Sequence, residues 1–332
     1  MTRNWRHRAI WKSMPPQLRI FIENNPSFVA CIVLCLIFSL FVPKFFSISN
    51  LVNILDIVSL TMITASTMGL VIMLGSIDLS LEGISGLACV VASVFVRNAM
   101  TPFAIGYWAI PIAILVGMIG GLINGVIHTY VKIPSFMITF CMGSIMTGVG
   151  VLIIKGVAVV VRDDSIRWLA LGRIFGIPFS FIIAVLIVII LDLFHKKTVH
   201  GRYISMIGGD EGIVRDLGIN VRKIKIVLFG LVGMVYGLVG VLLVAKLGSG
   251  HPYNSWDMNF EAISACLIGG IAITGGVGNI GKAVVGSFII VILKNGMILL
   301  NIDPYVQAGI VGVITIAIVA LTIDREKITI LK

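Results

Sequence analysis

Ten apolar stretches recur along the 332 residues, at 27–42, 51–74, 81–97, 103–129, 134–154, 177–194, 224–246, 258–274, 280–300 and 305–322, separated by short polar or glycine-rich intervals. A spanning helix needs about 20 mostly apolar residues, fewer where aromatic or snorkelling side chains cap its ends. The pattern therefore predicts an all-α, polytopic membrane protein with about ten transmembrane helices in one domain, 27–322. A cytoplasmic segment, 1–26, is expected before it and a cytoplasmic tail, 323–332, after it. Basic residues set the orientation. Arg3, Arg6, Arg8, Lys12 and Arg19 precede the first stretch with no acid before Glu23, so the N-terminus belongs in the cytoplasm. Ten crossings return the C-terminus there, together with the basic 195–225 interval. The interval 155–176, with Lys155, Arg162, Arg167 and Arg173 on the outer side, runs against that rule.

Composition agrees: 58% of residues are hydrophobic and 12% charged, against about 25% charged in a soluble domain. The net charge of +10 is explained by basic cytoplasmic loops, and nucleic-acid binding is not expected. The five cysteines, Cys31, Cys35, Cys89, Cys141 and Cys266, all fall inside apolar stretches, so no disulfide framework is implied. The first stretch ends in Val42-Pro43-Lys44 instead of a small-residue cleavage site and reads as a retained helix.

One short motif points elsewhere. Gly276 to Lys282, GVGNIGK, matches the glycine and lysine positions of a phosphate-binding loop. Ala283 stands where that loop needs a magnesium-binding hydroxyl, and the preceding residues read as a membrane segment where a strand is required. The expectation is a glycine-rich cytoplasmic turn. His7, His128, His195, His200 and His251 have no metal-ligand spacing, and no catalytic constellation is recognisable, so neither an enzyme, a metal site nor a cofactor is predicted. Gly117, Gly121 and Gly125, and likewise Gly233 and Gly237, recur at every fourth residue, which predicts close helix packing.

Three polar features remain. The longest interval, 195–225, exceeds an ordinary connection. Ile204, Ile207, Ile213 and Leu217, broken by Gly208-Gly209, fit a short helical hairpin at the membrane surface. In GSIDLSLEG, Gly75 to Gly83, Asp78 and Glu82 interrupt an apolar region, either facing a water-filled cavity or marking an interfacial turn. Before it lie Ser59, Thr61, Thr64, Ser66 and Thr67, which either bond their own backbone or offer hydrogen bonds to a hydroxylated solute. Asp78, Ser80, Asn124, Glu261 and Asn295 are the candidate pathway residues, with Asn259 a further polar position. An ion-coupled secondary transporter using Asp78, Glu82 and Glu261 is the chief alternative.

Three blocks then carry a resemblance: GSIDLSLEGISGLACVVAS (75–93), GGLINGVIHTYVKIPSFMITFCMGSIMTGV (120–149), and the run from GRYISMIGGDEGIVRDLGINVRKIKI (201–226) through EAISACLIGGIAITGGVGNIGKAVVGSFII (261–290). Over nearly the whole chain from about residue 45 it resembles the permease subunits of bacterial ABC importers for monosaccharides of the ribose, xylose and galactose type. The resemblance implies a multi-pass inner-membrane subunit that moves a monosaccharide by alternating access. A related polyol or furanose signal molecule stays open as cargo. It also implies three partners besides membrane lipid: an ABC ATPase subunit, a second permease copy or paralogue, and a periplasmic or lipid-anchored sugar-binding protein. Within the coupling loop 195–223, Gly201, Arg202, Gly209, Glu211, Arg215, Gly218 and Asn220 match the segment that docks on the ATPase. Gly212 stands where the family usually has alanine, and Leu81-Glu82 where it commonly has Val-Gly.

Overall fold

The computed structural model describes residues 26–101 and 104–322, so the segment before residue 26 and the tail from 323 lie outside the described residues. Thirteen α-helices stand among the described residues. They are α1 (Pro26–Phe41), α2 (Ile48–Met73), α3 (Leu81–Phe95), α4 (Ala109–Tyr130), α5 (Ser135–Ile154), α6 (Asp164–Leu171), α7 (Phe179–Lys197), α8 (Val199–Gly209), α9 (Glu211–Asp216), α10 (Val221–Leu247), α11 (Met258–Gly269), α12 (Ile280–Leu299) and α13 (Pro304–Thr322). A helix occupies each of the ten apolar stretches, but only six are long and apolar enough to cross a membrane: α2, Gly106–Tyr130 (a 3-10 turn continuing into α4), α5, α7, α10 and α12. The shortfall has a physical reason at α3 and α11, with 15 and 12 residues. Irregular chain precedes each helix, 76–80 before α3 and 248–257 (a two-residue strand and a 3-10 turn included) before α11, so neither helix alone reaches spanning length.

The interval 155–176 is also more structured than a loop. It holds α6, capped where the Asp163 side chain accepts from the Ser165 N–H, and two antiparallel ladders, β1 (Val159–Val160) with β4 (Ser249–Gly250) and β2 (Arg173–Ile174) with β3 (Ile177–Pro178). The first ties the α5–α7 excursion to the chain after α10, and the second is a local hairpin before α7.

At the centre lies α2, buried on every side from Val58 to Met73. Several of its hydroxyls bond their own backbone: Thr64 to the Leu60 and Thr61 carbonyls, Thr67 to the Ile63 carbonyl, and Ser59 to the Asp56 carbonyl. That satisfies them inside the helix and takes these three out of contention as solute ligands. The two glycine stripes meet each other. A Cβ on Gly117 would lie 2.2 Å from the Gly233 carbonyl, and one on Gly121 2.1 Å from the Phe229 carbonyl, so α4 and α10 pack backbone to backbone.

Candidate functional site

Two breaks in the helical pattern build the first half of the site. The chain leaves α2 through Gly75, whose φ of +82° favours glycine, and runs non-helically to Ser80 before α3 starts. Backbone groups at this depth need partners, and neighbouring side chains supply them. The Ile77 N–H donates to Ser135 Oγ (3.0 Å) and the Leu79 N–H to Thr139 Oγ1 (2.9 Å), while Asn259 Nδ2 donates to the Leu79 carbonyl (2.9 Å). Asp78, 1% exposed, closes the turn: its Oδ1 accepts from the Ser80 N–H (2.8 Å) and Ser80 Oγ (2.5 Å). Asn124 Nδ2 reaches Ser80 Oγ from α4 at 2.9 Å. Asp78 Oδ2, Asn124 Oδ1, Asn259 Oδ1 and the Tyr236 hydroxyl are buried with no hydrogen-bond partner among the described residues.

The second break follows α10. From Gly248 (φ +68°) the chain runs back along α3, with the Pro252 carbonyl against Gly86, where a Cβ would come within 2.2 Å. Ser255 Oγ then donates to the Glu82 carbonyl (2.7 Å), and the Asn259 N–H donates to Glu82 Oε1 (3.1 Å). The N-termini of α3 and α11 thus meet. From there α3 runs toward Gly248–Gly250 at the end of α10, and α11 toward Gly269, beside the end of α2 and the start of α12. Opposed half-helices joined to non-helical chain are the construction in which membrane transporters place solute sites.

Beside this meeting point opens a cleft of 540 Å³ between α3, α5 and the 252–260 segment. Glu82, Ser144, Thr147 and Asp257 bring polar groups to it, and Phe140, Tyr253, Trp256 and Phe260 bring aromatic ones. Trp256 is 66% exposed and Phe260 70%. Flat apolar surfaces next to carboxylates and hydroxyls suit a small solute with C–H faces and O–H edges.

The five pathway candidates do not form one cluster. Asp78, Ser80 and Asn124 come together, buried behind the cleft as the scaffold of the first break. Glu261 forms an ion pair with Lys294 that joins α11 to α12. Asn295 exchanges two hydrogen bonds with Asn50, each 3.0 Å, joining α12 to α2. The cleft's own aromatic and hydroxyl residues escaped the sequence reading. The available signal was the run Tyr253-Asn-Ser-Trp256-Asp257, too polar for a helix interior yet lying between two apolar stretches.

The second half of the site is the α8–α9 hairpin. Thr198 caps α8, accepting from the Gly201 N–H (3.0 Å), and Asp210 caps α9, accepting from the Ile213 N–H (3.1 Å). Glu211 binds Arg215 at 2.6 Å and Lys225 at 2.7 Å, fastening α9 to α10. Partial burial pushes the Glu211 carboxyl up, but these two cations outweigh it and hold the group below its ordinary value. Of the expected coupling residues, Arg202, Gly209, Arg215, Gly218 and Asn220 are exposed on this face. Gly201 is packed on α7, where a Cβ would lie 2.2 Å from the Phe194 carbonyl. Gly218 takes φ +77° in the turn, and the Asn220 side chain caps α10. Ile213 and Leu217, 61% and 64% exposed, present an apolar edge.

A glycine junction connects the two halves. A Cβ on Gly208 would stand 1.9 Å from the Met73 carbonyl and 2.6 Å from the Gly276 nitrogen. The Gly276 N–H donates to the Met73 carbonyl at 2.9 Å. Gly275 packs against Gly75, the corner from which the first break begins. The GVGNIGK run is therefore a corner between α11 and α12. Lys282 Nζ turns back onto the Gly270 carbonyl (3.3 Å), capping a helix end.

Comparison with known proteins agrees with this architecture. The family of branched-chain amino acid transport system permease components matches residues 50–319. The ribose import permease protein RbsC of Escherichia coli (strain K12) is 32% identical over 313 residues, covering 93% of this chain and 96% of that protein. The RbsC of Haemophilus influenzae is 31% identical over 88% of this chain and 90% of its own length. The L-arabinose transport system permease protein AraH of Escherichia coli (strain K12) is 32% identical over 90% of this chain and 88% of its own length. No solved structure matches the chain significantly.

Proposed function

The chain belongs to the permease family of branched-chain amino acid transport system type, and from that premise we propose that it carries a monosaccharide through the α3–α5–α11 cleft, driven by an ATPase held at α8–α9. Sugar is favoured over amino acid as cargo by the relatives, which are named for ribose and arabinose. The observation that carries the mechanism is the continuous connection from hairpin to cleft. Gly208 bears on Met73 and Gly276, Gly75 bears on Gly275, and the non-helical chain from Gly75 runs directly to Leu79 and Glu82 at the cleft. A displacement of α8–α9 by a closing ATPase is thereby passed to the first break, and the half-helices α3 and α11 change their opening.

The half-helices, with their irregular continuations, count as two broken spans. With α1 and α13 as short or tilted spans, ten crossings result, both termini lie in the cytoplasm, and the α8–α9 face is the cytoplasmic face of a bacterial inner membrane. A second permease, identical or paralogous, closes the open side of the cleft, and an external binding protein delivers the sugar. ATP is hydrolysed in the partner, whose contact is the exposed edge of Arg215, Ile213 and Leu217.

The test is to fill the cleft from α5 with Ser144→Trp in the assembled transporter. Uptake should be lost while ATP hydrolysis still responds to loaded binding protein. Unchanged uptake would place the path elsewhere.

A further inference from the structure

We infer that a groove beside the coupling hairpin is a binding site for one anionic phospholipid of the cytoplasmic leaflet, with its phosphate among Lys132, Arg222 and Lys223. The groove, 990 Å³, lies between the α4–α5 turn and the start of α10. It contains Lys132, Arg215, Arg222, Lys223 and Lys225 against a single carboxylate, Glu211. Arg215 and Lys225 are already paired with that carboxylate. Among the described residues no carboxylate lies in salt-bridge distance of Lys132, Arg222 or Lys223. Arg222 is held over the Tyr130 ring at 5.6 Å, so one of the three is already ordered by a cation–π contact. Lys132 extends from a left-handed turn, φ +62°.

Charge alone would fit any anion. The walls that continue from the groove select a lipid. On α4 the exposed residues are Leu115, Ile119, Ile123, Val126 and Tyr130, spaced along one helix face and ending at the groove. On α10 the exposed residues Val227 and Met234 continue the line of Lys223, four and eleven positions on. From Leu115 to Val126 the stripe rises about 16 Å at 1.5 Å per residue, close to one leaflet, or half of the roughly 30 Å hydrocarbon core. Three unpaired cations at the foot of a leaflet-long apolar track match a phosphate with acyl chains above it. A water-soluble acidic partner would leave the track unused. The placement rests on the cytoplasmic assignment of this face, and the experiment separates the two.

The full chain would be purified in detergent and titrated with phosphatidylglycerol or phosphatidylcholine while bound lipid is counted by native mass spectrometry. One phosphatidylglycerol should be retained in preference to phosphatidylcholine. Each of Lys132→Gln, Arg222→Gln and Lys223→Gln should lower that retention roughly fivefold. Val126→Asp should lower it without removing a cation. If one of these variants fails to fold, the others still decide the matter. Equal retention of the two lipids, or variants that hold phosphatidylglycerol as wild type does, would overturn the site. So would displacement by inorganic phosphate with Val126→Asp having no effect, which would leave a free-anion site. Variants that keep the lipid as purified chains but fail to co-purify with the ATPase subunit would reassign the groove to an acidic protein surface. Labelling of Lys223→Cys from the outer side of intact cells would contradict the cytoplasmic placement and hence the transport reading itself.

Discussion

Replacing Gly208 by alanine adds one methyl group where the structure has no room for it. Taken alone, α8 would gain, since alanine favours a helix interior over glycine by about 1 kcal/mol. The new carbon, however, falls 1.9 Å from the Met73 carbonyl and 2.6 Å from the Gly276 nitrogen, and both are backbone atoms that no rotamer change can move. Ordinary contact begins at 3.4 Å, so one side of the junction must retreat by 1.5 Å. Overpacking of this kind costs roughly 1–3 kcal/mol, which outweighs or cancels the helix gain and leaves a net of about 0–2 kcal/mol. It is relieved by lifting α8–α9 away from the end of α2, while the Gly276-to-Met73 hydrogen bond stays. Transporter reconstituted with ATPase and binding protein should then hydrolyse ATP at a basal rate that loaded binding protein no longer raises, and uptake should fall with it. Gly212→Ala is the control: only Asp210 Oδ1, at 3.1 Å, comes near a Cβ there. It should keep coupling and gain helix stability. A Gly208→Ala transporter as well coupled as Gly212→Ala would refute the transmission route.

Four further outcomes are expected. Charge reversal at Glu211 or Arg215 should uncouple hydrolysis from transport, because it breaks the attachment of α9; normal stimulation by loaded binding protein would count against the coupling role. Since the folded Glu211 carboxyl lies below its ordinary value, its pairing contributes fully above the unfolded value of about 4.3 and is lost only as pH falls through the lower folded value. Coupling should therefore be insensitive to this group from pH 8 down to about 5, and a Glu211-dependent loss near neutrality would contradict the pairing. Asp78→Ala leaves the Ser80 N–H without its acceptor, a cost of about 1–3 kcal/mol, whereas Asp78→Asn keeps it. Thermal melts should separate the two variants, and equal melting would remove Asp78 from the scaffold. Trp256→Ala should slow uptake roughly two- to tenfold, as expected for one lost aromatic contact, with assembly intact; full uptake would take this ring off the path.

Much of this architecture is legible in the residues because hydrophobic length is a strong signal. Ten apolar stretches each contain a helix, and the paired glycine stripes at 117–125 and 233–237 mark two helices that pack backbone to backbone. The hairpin is readable for a different reason: the apolar positions Ile204, Ile207, Ile213 and Leu217 are broken at Gly208-Gly209, and in the structure Thr198 and Asp210 cap the two helices. What hydropathy cannot report is whether an apolar stretch is helical throughout. The 249–257 segment holds only a two-residue strand and a 3-10 turn, and 76–80 is buried or half-buried non-helical chain, made tolerable by Ser135, Thr139 and Asn259 from distant parts of the sequence. Those partners meet only after folding, so half-spans read as full ones and the cleft between them goes unseen. Likewise, nothing local separates Glu261, paired to Lys294, from Glu82, which faces the cleft.

The most direct measurement is uptake of labelled monosaccharide into vesicles holding this chain with its ATPase, with binding protein supplied outside. ATP and binding protein should both be required, uptake should be unaffected when ion gradients are collapsed, and Ser144→Trp should abolish it. Uptake that follows an ion gradient and continues without the ATPase would contradict the account.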